Sequence, residues 1–321
     1  NAPLMPEAYA PIRTRADILA LEAVPFSERL PCFDTPGLIR AGAAIDPAKP
    51  CFHYLWDGEA DETPLTVTFG EFQEKVNQAA NLFHGLGIGA GDGIALLLPN
   101  LPETLYALWG GQAAGIVCPV NWMLEPDHIA GILSATRARI LVTLGPTPGY
   151  EIADKVAAMR SDLPDLETVL QVRGPGGGEV ENDFAECLAE QPAELAFERA
   201  IDPGEVALHV HTGGTTGAPK VARLLHRGMA YQFWANTWMK GLTHNDSMFS
   251  GGPYFHSGGI LNDSLVSLAG GLTQVILGPT GYRNPNMVAN YWKLLERFGI
   301  TRLNGVPTVL AMLAANPPKG E

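Results

Sequence analysis

Basic residues are scarce in this 321-residue sequence: 21 Lys and Arg stand against 34 Asp and Glu, for a net charge of −13. No Lys/Arg cluster longer than a pair occurs, which excludes the basic stripe that a nucleic-acid surface needs. Cysteine is equally sparse. Cys32, Cys51, Cys118 and Cys187 stand far apart with no Cys-x-x-Cys pair, so the pattern supports neither a disulfide frame nor a cysteine metal site. Reduced, mostly buried thiols in a cytoplasmic protein are the expectation. His53, His84 and His128 show no metal spacing to one another. Long apolar runs are also missing. The most membrane-like stretch, Leu105 to Leu124, is interrupted by Gly110, Gly111, Gln112, Gly115, Pro119 and Asn121, and reads as a helix followed by a buried strand. The Pro-rich start carries Glu7 and has no basic segment ahead of an apolar one, so no signal peptide is expected.

With 46% hydrophobic and only 17% charged residues, the chain can bury a large core spread over two domains or one two-lobed unit. From about residue 64 helical and strand-like segments alternate, the pattern of a parallel α/β architecture. Thr68 reads as a helix N-cap with Glu71 as its capping-box partner. Strands are expected at Ile94–Leu98, Ile116–Val120, Arg139–Thr143, Thr168–Val172, Val206–Val210, near Met248, at Leu272–Leu277 and at Arg302–Asn304. Helices are expected at Pro102–Ala114, Pro126–Ala135, Tyr150–Arg160, Asp183–Glu190, Arg227–Met239, Ile260–Leu268 and Pro285–Phe298. The reading divides the chain into a first α/β lobe with an N-terminal extension, 1–201, and a second, 202–321.

Directly after the apolar run Val206 to Val210 come Thr212, Gly213, Gly214, Thr215, Thr216, Gly217, Ala218, Pro219 and Lys220. Three glycines free backbone N–H groups to face an anion, three threonines add hydroxyl donors, and one lysine adds a mobile charge, a set suited to a polyphosphate. The stretch is not the common nucleotide loop, in which glycine precedes the lysine and a hydroxyl residue follows it; here Pro219 precedes Lys220 and Val221 follows. Glycines alone would make a turn; the ordered threonines and the Pro-Lys ending point to anion binding. Further on, His256 lies within Pro253-Tyr254-Phe255-His256-Ser257-Gly258-Gly259, where it either faces a pocket or is satisfied by backbone in a turn. His209 and His211 alternate along the strand ahead of the glycines and share a face, which suits core or supporting placement.

Thr212 to Lys220 resembles the phosphate loop of the adenylate-forming (AMP-binding) superfamily, [ST]-[SG]-G-[ST]-T-G-x-P-K, at each position. The type of member it resembles is an acyl-CoA synthetase or fatty-acid–CoA ligase. The resemblance implies the large N-terminal domain of that family, with stacked, mostly parallel sheets and flanking helices. Its implied substrates are ATP, a small-molecule carboxylic acid and CoA, with Mg²⁺ carried on the ATP phosphates and Thr216 a candidate ligand. It gives Thr212, Gly213, Gly214, Thr215, Thr216, Gly217 and Lys220 to the nucleotide phosphates. Tyr254, Phe255, His256 and Gly258, with Gly305, Val306 and Pro307, would line the acyl and CoA pocket, His256 gating or positioning rather than acting as general base. Segments at Leu65–Phe69, Ile94–Asn100 and Pro119–Asn121 resemble scaffold motifs of the same superfamily.

The family pattern continues into a Y-G-x-T-E turn, a ribose-binding aspartate and a small C-terminal domain with the adenylation lysine, none of which occurs in these 321 residues. A truncated second lobe, no catalytic residue and an incomplete reaction for the isolated chain are therefore expected. Other adenylate-forming enzymes, such as a peptide-synthetase adenylation domain, a carrier-protein ligase or a luciferase-like oxygenase, share the loop. A non-catalytic acyl- or nucleotide-binding module is the alternative from another class.

Overall fold

A computed structural model describes residues 4–5, 9–212 and 220–318. Its strands are β1 (Pro50–Tyr54), β2 (Leu65–Thr68), β3 (Gly93–Leu97), β4 (Ile116–Pro119), β5 (Ala138–Leu144), β6 (Thr168–Val172), β7 (Val206–Thr212), β8 (Lys220–Leu225), β9 (Ser247–Ser250) and β10 (Thr273–Ile276). They form two sheets, ordered β2-β1-β10-β9 and β6-β5-β3-β4-β7-β8. Only β2 against β1 and β8 against β7 run antiparallel, each at an edge; the remaining pairs are parallel. The mostly parallel α/β expectation is met.

The chain separates into two compact units, one of residues 1–71, 226–252 and 258–321, the other of residues 72–225 and 253–257. They interleave along the sequence, whereas the reading from sequence divides the chain at 201/202. The reason is β7, which pairs in parallel with β4 through Leu208 opposite Val117 and so joins the sheet of β3 to β6.

In the six-stranded unit, β3, β4 and most of β5 are buried throughout, as apolar strands covered on both faces must be. Helix Pro102–Ala114 buries every residue but Glu103, which accounts for the membrane-like stretch. Gly110 and Gly111 permit that burial: a Cβ at Gly110 would lie 2.5 Å from the Val76 carbonyl oxygen, and one at Gly111 2.6 Å from Val117 Cγ2. Among the described residues no helix is long and apolar enough to cross a membrane.

In the four-stranded unit, Leu55, Phe249, Val275 and Leu277 pack with Met287, Tyr291, Leu294, Val309 and Leu313. The capping box ahead of helix Phe69–Gly85 is present: Glu71 Oε2 accepts from the Thr68 N–H at 2.8 Å, and Thr68 Oγ1 accepts from the Glu71 N–H at 3.2 Å. Two expectations change. The helix foreseen at 285–298 breaks at Asn290, whose backbone leaves helical geometry and whose amide donates to the Gly58 carbonyl at 2.9 Å, giving Pro285–Ala289 and Tyr291–Arg297. The strand foreseen at 302–304 reduces to a single bridge, Arg302 to Met248, because side chains hold the segment instead: Arg302 Nε donates to Asp246 Oδ1 at 2.9 Å.

Candidate functional site

The fully apolar start of β7 runs up the sheet beside β4 and delivers Thr212 at its end. Strand β8 was not foreseen. Its sequence Lys-Val-Ala-Arg-Leu-Leu lacks alternation and runs straight into helix His226–Lys240, so only pairing with β7 makes it a strand. The antiparallel register sets Thr212 opposite Lys220, and Thr212 Oγ1 donates to the Lys220 carbonyl at 3.3 Å. Both ends of the nine-residue motif are thereby brought together, with the Lys220 side chain exposed. Gly213, Gly214, Thr215, Thr216 and Gly217, with Ala218 and Pro219, lie outside the described residues.

The residue before Thr212 carries the electrostatics of this edge. His211 Nε2 accepts the backbone N–H of Asn121 at 3.1 Å, which places the ring proton on Nδ1. Its ring stacks on Phe255 with centroids 6.5 Å apart. Burial, and then the nearby His256, push its pKa below the usual histidine value. His209, on the same face, is pushed down by burial and by Arg223, opposite it in β8. This agrees with the supporting placement expected for both.

Residues 253–257 belong to the same unit. Tyr254 is 1% exposed, and its N–H donates to Asn100 Oδ1 at 3.0 Å. Asn100 and Asn121, expected as scaffold positions, each bond a motif-bearing segment, Asn100 through its side-chain oxygen and Asn121 through its backbone N–H. His256 is exposed, its N–H donating to the Pro253 carbonyl at 3.1 Å in a turn.

Gly258, Gly305, Val306 and Pro307 are placed in the other unit. Gly258 opens a π-helical stretch, Gly258–Leu265, that tightens into the α-helix Val266–Gly270; the expected helix is present but wider wound at its start. Val306 is 61% exposed and N-caps helix Pro307–Ala315, with Pro307 in its first turn.

One residue of this unit escaped the sequence reading. Asp263 is buried in the π-helical stretch, where Oδ2 accepts the Gly252 N–H at 3.0 Å and Oδ1 accepts from Asn304 Nδ2. Burial raises its pKa to about 6 against these bonds and the charge of Lys240. The signal was available, since an Asp within Ile260-Leu261-Asn262-Asp263-Ser264-Leu265 is a charge on an apolar helix.

A profile of the AMP-binding enzyme family matches residues 39–321. The marinolic acid–CoA ligase of Pseudoalteromonas sp. (strain SANK 73390) is 36% identical over 313 residues, covering 95% of this chain and 47% of that protein. The crotonobetaine/carnitine–CoA ligase of Escherichia coli O9:H4 (strain HS) is 26% identical over 251 residues, 77% of this chain and 46% of that protein. Anthranilate CoA ligase AuaEII in complex with anthranoyl-AMP shares the fold with a TM-score of 0.73 at 22% identity, over 91% of this chain and 52% of that one. The N-terminal domain of FACL13 from Mycobacterium tuberculosis gives a TM-score of 0.71 at 20% identity, over 89% and 66% of the two chains. The chain spans about half the length of the curated relatives it matches. With the family profile covering both sheets and the strands on either side of the glycine-threonine motif, the chain belongs to the AMP-binding enzyme family.

Proposed function

We propose that the protein containing this sequence is an AMP-forming acid–thiol ligase, an ATP-dependent acyl-CoA synthetase. A carboxylate oxygen attacks the α-phosphorus of ATP, the bond to the β-phosphate oxygen breaks, and pyrophosphate leaves an acyl adenylate. The sulfur of CoA then attacks the acyl carbon, its proton passes to solvent or a base, and AMP departs. The observation that carries this reading is the nine-residue match from Thr212 to Lys220 held across the β7–β8 pair, since phosphoryl-type transfer depends on positioning and on neutralising charge.

In this reading Thr212 to Gly217 hold the β- and γ-phosphates through N–H and hydroxyl donors, and Lys220 is the adjacent cation. Among the described residues no three His, Cys, Asp or Glu side chains gather into a cation site. Mg²⁺ is assigned to the phosphates of the nucleotide, with Thr216 as its candidate protein ligand, where it would offset phosphate charge. Tyr254, Phe255, His256, Gly258, Gly305, Val306 and Pro307 are assigned to the acyl and CoA pocket, which must keep the mixed anhydride dry. The acid is a small-molecule carboxylic acid; fatty and aromatic acids both fit the motifs. Four free cysteines support a reducing, cytoplasmic setting.

The 321-residue chain by itself is taken to be catalytically incomplete. Acid-dependent exchange of pyrophosphate into ATP by the complete protein, over a panel of carboxylic acids, tests the first step, and CoA against a carrier-protein thiol tests the second. No exchange with any acid would overturn the reading, and rapid turnover by the isolated chain would overturn its incompleteness.

A further inference from the structure

Within the four-stranded unit, four groups close on one another around a carboxylate. Asp263 accepts from the Gly252 N–H and from the Asn304 side-chain amide. The Asn304 carbonyl in turn accepts the Tyr282 hydroxyl at 3.0 Å, and the Tyr282 N–H donates to the Gly251 carbonyl at 3.3 Å. The fit leaves no slack: a Cβ at Gly252 would lie 2.9 Å from Asp263 Oδ2 and 3.1 Å from Gly259 Cα, and one at Gly251 would lie 2.5 Å from the Tyr282 ring. Gly252 immediately precedes Pro253-Tyr254-Phe255-His256, and Asn304 immediately precedes Gly305-Val306-Pro307. The two segments are some fifty residues apart in sequence and share one carboxylate at their roots.

A stability role alone is a poor account of this arrangement. Taking a carboxylate out of water costs several kcal/mol, and apolar side chains of similar volume often serve a core as well. What a carboxylate offers here is two acceptor oxygens that fix two donors from separate segments in one geometry.

We propose that Asp263 is a positioning residue for the acid-binding side of the reaction, setting the entry to Tyr254–His256 and the entry to Gly305–Pro307 together. This rests on the ligase reading above. It predicts a division of labour: loss of Asp263 disturbs the acid more than the nucleotide, because the β7–β8 pair that carries the ends of the phosphate motif uses neither Gly252 nor Asn304, the two partners of Asp263. It also predicts a pH signature, because a proton on either oxygen sets a donor against a donor. Among the described residues, the ionisable groups coupled to Asp263 are Lys240 on helix His226–Lys240 and Tyr282 on the turn Gly281–Arg283. Burial pushes the Lys240 ammonium below and the Tyr282 hydroxyl above their ordinary values, while Asp263 is raised to about 6.

The test uses the complete natural protein and acid-dependent ATP–pyrophosphate exchange between about pH 5 and 8, with Asp263→Asn, Asp263→Leu and Asn304→Ala. Each variant should raise the KM for the acid on the order of tenfold while the KM for ATP stays within about twofold. The wild-type kcat/KM for the acid should fall below about pH 6, and Asp263→Asn should lose that limb. Asn304→Ala breaks the same bridge from its other end and decides the matter if Asp263→Leu does not fold. Variants with an unchanged acid KM, or with acid and ATP KM raised alike, would overturn the assignment and leave the ligase reading standing. A wild type with no exchange for any acid would overturn both.

Discussion

The backbone N–H of Asn121 is bound to Nε2 of His211 at 3.1 Å, tying the end of β4 to the residue before the phosphate-type motif. The bond requires a neutral ring protonated on Nδ1. Replacing His211 by Ala should cost about 1–3 kcal/mol, because the Asn121 N–H loses its acceptor. The folded pKa lies below 6.5, so the ring's contribution is present above pH 6.5 and is lost as pH falls through the lower folded value. Urea unfolding of both proteins as a function of pH should show that limb in the wild type and a shallower one in His211→Ala.

Thr216→Ala and Lys220→Ala should each slow pyrophosphate exchange by the complete protein on the order of a hundredfold, as expected when one donor to developing charge is removed. Unchanged adenylate formation in both would take the segment out of the mechanism.

Asp263 has a folded pKa raised from 3.8 to about 6 by burial. Folding therefore favours the protonated acid, and the associated stability is fully present below pH 3.8 and lost as pH rises through about 6. Asp263→Asn should flatten that decline. The comparison to make is the urea midpoint of wild type and variant across the interval.

Gly110→Ala puts a Cβ 2.5 Å from the Val76 carbonyl oxygen and 2.7 Å from Ala79 Cβ, and backbone cannot swing aside as a long side chain can. A loss of about 1–3 kcal/mol is expected. A denaturation midpoint equal to that of the wild type would show that helix Pro102–Ala114 does not pack so closely.

Thr68→Ala removes the hydroxyl that accepts the Glu71 N–H at the start of helix Phe69–Gly85. The expected cost is about 1 kcal/mol, with Thr68→Ser close to wild type in the same chemical denaturation series.

Much of the α/β core was legible because its signals are local. Pro102 and Pro126 open helices where a missing N–H is harmless, and continuous apolar strands such as β3 declare that both faces are covered. The motif from Thr212 to Lys220 was legible for the same reason, since its chemistry lies in nine consecutive residues. Strand β8 was not, because nothing in Lys-Val-Ala-Arg-Leu-Leu marks a strand until β7 supplies its hydrogen bonds. The charge of Asp263 on an apolar helix is visible in the sequence, but its partners, Gly252 and Asn304, lie 11 and 41 residues away.

The sequence by itself thus determined the family, the alternation of helices and strands, and the residues suited to bind phosphate, all of which follow from neighbours along the chain. The tertiary structure decided which strands share a sheet, that β7 joins β3 to β6 rather than opening a separate lobe, and that one buried carboxylate serves two distant segments. Hydrogen bonds between strands and between side chains form across gaps of tens to more than a hundred residues, and local composition does not encode which groups will meet.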